Sequence, residues 1–219
     1  PALEKNFRSR LRDLKQRHRP GEHLWEIGTA YGFFLEAANE YFHAAGCDIS
    51  EHAVAHARNT LALNVTAVDY LEMPPPEKPH DIVCLWDTIE HLREPHLYLE
   101  KASKELRPGG TLALSTGDIS SFMARLRGAK WRLIHPPTHL HYFSPRSMRA
   151  LLKRLGFRQA EFRYHAFWRS ADAVAYRLLA HPPTKPAAPL YRALHAAGLT
   201  NFCFPVNTWD LMTVTAARK

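Results

Sequence analysis

Leu24–Gly32 reads LWEIGTAYG: a short apolar run with an acid inside it at Glu26, then Gly28 and Gly32 bracketing a tight loop. An apolar run ending in glycine reads as a buried strand. The stretch FFLEAANEY that follows has helical spacing. A strand–loop–helix unit of this kind opens nucleotide-binding α/β folds. The dinucleotide fingerprint G-x-G-x-x-G would put glycine at 28, 30 and 33, where the chain has Gly28, Ala30 and Phe33. Phe33 is the serious misfit, because the third glycine of that fingerprint permits close helix–strand packing. NAD-linked oxidoreduction is disfavoured on that ground, and the loop must fit another ligand.

The same alternation continues outward from the loop. FHAAGCDIS is a second strand ending at Asp48, and Ser50 can N-cap the helix EHAVAHARNTLAL. NVTAVDY is a third strand ending at Asp69, and MPPPEKP is a loop, since proline lacks the amide donor and fixes φ. HDIVCLWD is a fourth strand. A helix from about His96 to Leu106 stops at Pro108-Gly109-Gly110, and TLALST is a fifth strand. Strands alternating with helices imply a parallel sheet covered on both faces, wound right-handedly into a doubly wound α/β domain. Its ligand belongs outside the carboxyl ends of the strands. The remainder is less regular: an aromatic- and histidine-rich stretch, a helix PRSMRALLKRLGF, a sixth strand RQAEFRYHAFW, a loop HPPTKPAAP and a C-terminal strand TWDLMTVTAARK.

What remains of the loop is E-x-G-x-x-x-G, with Glu26, Gly28 and Gly32. With Asp48, Asp69-Tyr70, Trp86-Asp87, the segment DTIEHL (Asp87 to Leu92), LRPGG (Leu106 to Gly110) and HLHYFS (His139 to Ser144), the chain resembles class I S-adenosylmethionine-dependent methyltransferases. It is most similar to the small-molecule subgroup that includes ubiquinone-pathway O-methyltransferases. The resemblance covers roughly residues 22 to 157 and the chain end more loosely. It implies a Rossmann-like, seven-stranded, mostly parallel sheet of order 3-2-1-4-5-7-6, with strand 7 antiparallel. It implies S-adenosyl-L-methionine as cofactor and S-adenosyl-L-homocysteine as product. Glu26, Gly28, Thr29, Ala30, Tyr31, Gly32, Asp48, Ile49, Asp69, Tyr70, Trp86 and Asp87 are the expected cofactor-binding residues. Glycines at 28 and 32 let the backbone approach the ligand, and amides of Thr29, Ala30 and Tyr31 near a helix start favour a carboxylate. Asp48 can accept hydrogen bonds from ribose hydroxyls, Asp69 is expected near the adenine amino group, and Glu26 beneath the methionine amino group.

Asp87, Glu90 and His91 admit three readings. The resemblance associates an acid-x-x-Glu-His here with a divalent metal, and two carboxylates with an imidazole could hold Mg²⁺. His91 could instead be the general base that takes the acceptor's proton. The Glu-His pair could also simply shape the pocket. Metal is not favoured, because Mg²⁺ prefers oxygen ligands. For the acceptor, Trp131, Arg132, His135, His139, His141 and Tyr142 are expected, within an insertion at about residues 117–143. Aromatics there could stack on a flat substrate and Arg132 could pair with an acid group; ordinary lid packing is the competing reading.

Residues 1–20 read as an amphipathic helix, with Leu3, Phe7, Leu11 and Leu14 at helical spacing. Lys5, Arg8, Arg10, Arg12, Lys15, Arg17 and Arg19 are its expected wet, basic face, suited to a lid, to packing or to a polyanion. Residues 21–219 form the main domain. The net charge of +8 permits a nucleic-acid partner. Nucleic acid is nevertheless disfavoured: WDTIEHL replaces the N/D-P-P-Y/F tetrad, and no Pro-Cys dipeptide occurs. Cys47, Cys84 and Cys203 are far apart and odd in number, which points to buried free thiols in a reducing, cytoplasmic setting. No apolar run reaches the roughly 18 residues of a membrane span. Starting at Pro1, the chain reads as processed or as a fragment. The expected function is methyl transfer to a small-molecule acceptor, at oxygen. A non-catalytic cofactor-binding scaffold and an RNA-directed enzyme are the alternatives.

Overall fold

The computed structural model describes residues 2–181 and 188–219. The elements run α1 (Ala2–Lys15), β1 (His23–Ile27), α2 (Phe33–Asn39), β2 (His43–Asp48), α3 (Glu51–Leu61), β3 (Val65–Ala67), β4 (His80–Trp86), α4 (Pro95–Glu105), β5 (Leu106–Gly117) and α5 (Phe122–Arg127). Then follow α6 (Pro145–Arg154), β6 (Phe157–Arg163), β7 (Phe167–Ser170), α7 (Ala171–Ala175), α8 (Ala188–Ala196), β8 (Cys203–Val206) and β9 (Leu211–Arg218). Seven strands form one sheet in the order β3-β2-β1-β4-β5-β9-β6. The first five are parallel, and β9 runs antiparallel to both β5 and β6. This is the expected seven-stranded topology. The last strand takes the number nine because β7 and β8 pair separately as a two-stranded sheet.

Strand β4 explains why the sheet is covered on both faces. Ile82, Cys84 and Trp86 pack with Phe34 and Leu35 of α2 and Ala57 of α3. Val83 and Leu85 alternate to the other side and meet Leu99 of α4 and Met148 and Leu152 of α6. Helix α1 belongs to the first layer: Leu11 and Leu14 are fully buried there. Its basic residues are not uniformly wet. Arg10 is only 9% exposed, because it turns inward over Trp86. Ser50 caps α3 as its position suggests, accepting from the Ala53 amide.

Several boundaries differ from expectation: helix α1, expected over residues 1–20, ends at Lys15. LRPGG lies inside β5: Leu106 already pairs with His80, and the register shifts before Thr111 pairs with Ile82. Strand β3 stops at Ala67, and Asp69 caps a single 3-10 turn by accepting from the Leu71 amide at 2.9 Å. RQAEFRYHAFW splits into β6 and β7, because Asn207 Nδ2 takes the Tyr164 carbonyl at 2.8 Å and interrupts the ladder. Strand β7 then docks on α1, where Asn6 bonds both the amide (2.7 Å) and the carbonyl (3.2 Å) of Trp168. An isolated parallel bridge joins Asp118 to Phe143. Residues 182–187, most of the expected HPPTKPAAP loop, lie outside the described residues; Ala188 and Pro189 open α8. Among the described residues no helix is long and apolar enough to cross a membrane.

Candidate active site

The carboxyl ends of β1, β2 and β4 open on a cavity of about 600 Å³, within the range of small-ligand sites. Gly28, Ala30, Asp48, Ile49, Asp69, Tyr70, Trp86, Asp87 and His91 line it. The loop after β1 is fixed to β2: the Gly28 and Thr29 amides both donate to the Cys47 carbonyl, at 2.8 and 3.1 Å. Asp48 completes that anchor, accepting from the Ala30 amide at 2.7 Å and the Ser50 amide at 2.8 Å. Each carboxylate oxygen retains a further lone pair for a ligand hydroxyl. On the opposite wall Tyr98 of α4 donates to Asp69 at 2.7 Å.

The two glycines of the loop have different jobs. Gly28 has φ +79° and an added Cβ would lie 2.6 Å from the Thr88 side chain, at the cavity wall. Gly32 also has positive φ, +82°, but its Cβ would strike Leu63 Cδ1 at 2.5 Å and Ala57 Cβ at 3.0 Å. Gly32 therefore serves the packing of α2 against α3, not an approach to the ligand. Tyr31 is likewise turned away, stacked on Phe33 and edge-on to His52 and His56. Glu26 and Thr29 lie beneath the loop, buried, with Glu26 Oε2 and Thr29 Oγ1 unpartnered. Burial raises the Glu26 carboxyl well above its usual range; nearby Asp48 adds to this and Arg10 opposes it.

Asp87 closes the floor. It holds a left-handed backbone, φ +50°, which an aspartate tolerates better than most residues. Its carboxylate accepts from Arg10 Nη2 at 2.6 Å and from the Ser115 hydroxyl at 2.7 Å. Desolvation works against its ionisation, but Arg10 and Ser115 outweigh it and hold the carboxyl below its usual value. Beside it Glu90 is buried with Oε2 unpartnered, and burial, then Asp87, raise its carboxyl.

A second cavity of about 240 Å³ shares Asp87 and His91 with the first. Glu90, Arg132, Leu133, His139, Phe167, Arg169 and Leu211 complete it. Of the expected acceptor residues, Arg132 and His139 reach this cavity. Trp131 is buried and donates to Asp210 at 2.8 Å. His135 bonds Thr138 Oγ1 at 2.7 Å, His141 meets the Arg93 carbonyl at 3.1 Å, and Tyr142 lies outside both main cavities. Ligand atoms of Glu90, His91 and His139 come within 4.8 Å of one another, whereas Asp87 is outside that group. One carboxylate with two imidazoles suits a transition metal rather than Mg²⁺. Arg10, Tyr98, Phe167 and Arg169 were not anticipated. The signal for Arg10 was hidden in a run of like charges, and Phe167 and Arg169 gave none.

A family model described as a methyltransferase domain matches residues 3–161. The chain belongs to that family. It carries a methyltransferase domain of the class I, S-adenosylmethionine-dependent kind. The ubiquinone biosynthesis O-methyltransferase of Xylella fastidiosa (strain 9a5c) is 26% identical over 152 residues, covering 62% of this chain and 61% of that one. The match thus spans under two thirds of the curated relative. Among solved structures, a methyltransferase of Thermotoga maritima described as a possible histamine N-methyltransferase superposes with a TM-score of 0.65 at 18% identity, covering 99% and 91% of the two chains. The N-methyltransferase NodS of Bradyrhizobium japonicum, in complex with S-adenosyl-L-homocysteine, gives 0.61 at 14% identity, covering 100% and 88%. S-adenosyl-L-methionine is the cofactor of that family. Two observations fit that ligand: Gly28, held at positive φ in the cavity lining, and an orphaned carboxylate oxygen at Glu26 beneath the loop.

Proposed function

We propose that the enzyme methylates a hydroxyl of a small molecule, with the cofactor in the 600 Å³ cavity and the acceptor in the adjoining one. Asp48 receives the ribose hydroxyls, Asp69 and Tyr70 border the adenine, and Glu26 with the Gly28 and Ala30 backbone borders the amino-acid end. When bound, S-adenosyl-L-methionine supplies a methyl already activated on a sulfonium, which departs as a neutral thioether as the acceptor oxygen forms the new C–O bond. The protein's part is alignment, exclusion of water and one proton.

The observation that carries the reading is the state of His91. Its Nδ1 lies 2.8 Å from the Thr138 carbonyl, which can only accept, so Nδ1 bears the hydrogen. In this tautomer the lone pair of the imidazole lies on Nε2, and His91 borders both cavities. Nε2 takes the hydroxyl proton as the methyl is transferred. The similarity to ubiquinone biosynthesis O-methyltransferases supports oxygen as the target. An RNA substrate is less favoured because the basic helix is already engaged: Arg8 pairs with Glu40, Arg10 with Asp87 and Arg17 with Glu161, while Lys5 and Lys15 lie over Trp168 and Tyr41.

The test is a panel of phenols, catechols and primary amines with radiolabelled cofactor, on wild type and His91→Gln. Methylated hydroxyls are expected, with the variant slowed by about 10²- to 10⁴-fold, the usual contribution of a general base, while still binding S-adenosyl-L-homocysteine. Transfer to amines alone, or an unslowed variant, overturns the proposal.

A further inference from the structure

The second cavity carries one cation that no carboxylate among the described residues answers. Its charged lining is Asp87, Glu90, Arg132 and Arg169, with His91 and His139 beside them. Asp87 is committed to Arg10 and Ser115. Arg132 is committed to Asp210 at 2.9 Å. Glu90 is buried in a setting that raises its carboxyl toward the neutral form. Arg169 has no ion pair among the described residues; its guanidinium lies 4.9 Å from the Phe167 ring centre.

Its placement is also preset. On β7, Phe167 and Arg169 are two apart and share the face that lines the cavity, while Trp168 between them points to Lys5 of α1. The paired Asn6 bonds to the Trp168 backbone hold that strand in register against α1. An arginine delivered by a fixed strand, with its face against an aromatic ring and its donors open, matches the planar fork that takes carboxylate or phosphate oxygens in pairs. Burial, Arg132 and Arg177 all press on its charge, with Asp210 the opposing influence. An incoming anion relieves that repulsion.

We propose that the acceptor is an anion, a small molecule bearing a carboxylate or phosphate, and that Arg169, with Arg132 beside it, binds that group at the end of the cavity away from the cofactor. This deepens the acceptor-site reading above and rests on it for the identity of the cavity. The reacting hydroxyl then sits at the His91 and Asp87 end, between the two cavities, and a ring fits between Phe167, Leu133 and Leu211.

The experiment is calorimetry on the protein saturated with S-adenosyl-L-homocysteine. The probes are hydroxybenzoates, dihydroxybenzoates, their uncharged amides, and hydroxyphenyl phosphate; wild type is compared with Arg169→Gln and Arg169→Lys. At least one acid should bind about ten- to a hundredfold tighter than its amide, the ratio of a charge-assisted hydrogen bond. Arg169→Gln should erase that ratio, Arg169→Lys should restore part of it, and S-adenosyl-L-homocysteine affinity should stay constant in both. The carboxylate and phosphate arms identify which oxyanion the fork prefers. Equal binding of acid and amide, discrimination that survives Arg169→Gln, or no binding of any acid at millimolar concentration overturns the proposal. Binding of acids through Arg169 without methyl transfer to any acceptor keeps the anion site and removes the hydroxyl-methylation reading. Transfer to neutral phenols, unaltered in Arg169→Gln, does the reverse.

Discussion

Replacing Arg10 with methionine removes the one cation among the described residues that faces both Asp87 and Glu26. The stem of methionine still packs against Phe7 and Trp86, so the change isolates the charge and its hydrogen bond. A charge-assisted hydrogen bond is worth roughly 1.5–3 kcal/mol. The Asp87 side chain is 43% exposed, so water screens the bond, which reduces its contribution to about 1–2 kcal/mol. The guanidinium also lies 5.1 Å from the Trp86 ring centre, a contact worth about 0.5–1 kcal/mol. Glu26 limits the loss, since its carboxyl already favours the neutral form and needs no partner once protonated. The total is about 1.5–3 kcal/mol, or roughly 3–12 °C in Tm for a chain of this size. Thermal unfolding of Arg10→Met, Asp87→Asn and the double variant measures it, and the cycle should give a coupling of about 1 kcal/mol or more. A Tm for Arg10→Met within about 1 °C of wild type, or strictly additive single variants, would refute the claim that α1 is locked to the site through this pair.

Further outcomes follow from the same geometry. Gly32→Ala should destabilise by about 2–4 kcal/mol through positive φ and overpacking, seen in urea unfolding, with S-adenosyl-L-homocysteine affinity unchanged in the folded fraction. Gly28→Ala should instead weaken cofactor binding in calorimetry by about tenfold or more, since its Cβ meets Thr88 at the cavity wall; equal effects of the two variants on binding would contradict the division. Glu26→Gln should unfold at higher urea concentration at neutral pH, because the buried carboxyl prefers the neutral form, yet bind cofactor more weakly. The carboxyls of Asp87 and Asp210 are depressed: burial opposes ionisation, but Arg10 and Ser115 in the first case, and Thr208, Trp131 and Arg132 in the second, outweigh it. Their stabilisation is therefore full above about pH 4 and is lost as pH falls through the folded-state values. Asp210→Asn should show a flatter acid dependence of the urea midpoint than wild type, and an unchanged slope would contradict this.

The sheet was legible because its parallel strands carry short apolar runs broken by glycine or acidic residues, and a strand buried on both faces cannot hide that signal. Asp48, Asp69 and Asp87 were legible for the same reason: topology puts strand ends at the cavity whatever the loops do. Gly32 was misread because a positive-φ glycine looks the same in sequence whether it faces a ligand or a neighbouring helix. On the expected acceptor side Trp131 and Arg132 are adjacent, but only Arg132 reaches the second cavity while Trp131 is spent on Asp210. Arg10, Phe167 and Arg169 were illegible because their roles come from α1 and β7 meeting across the fold, through Asn6 and Trp168 about 160 residues apart in the chain.

The most direct measurement is a calorimetric titration of the wild-type protein and Asp69→Ala with S-adenosyl-L-homocysteine. Asp69 accepts from Tyr98 on the cavity wall and supports no part of the sheet. One ligand per chain is expected for wild type, with the variant folded and binding at least about tenfold more weakly. Absence of binding heat in the wild type, or an Asp69→Ala affinity equal to it, would contradict the assignment of the cofactor to this cavity.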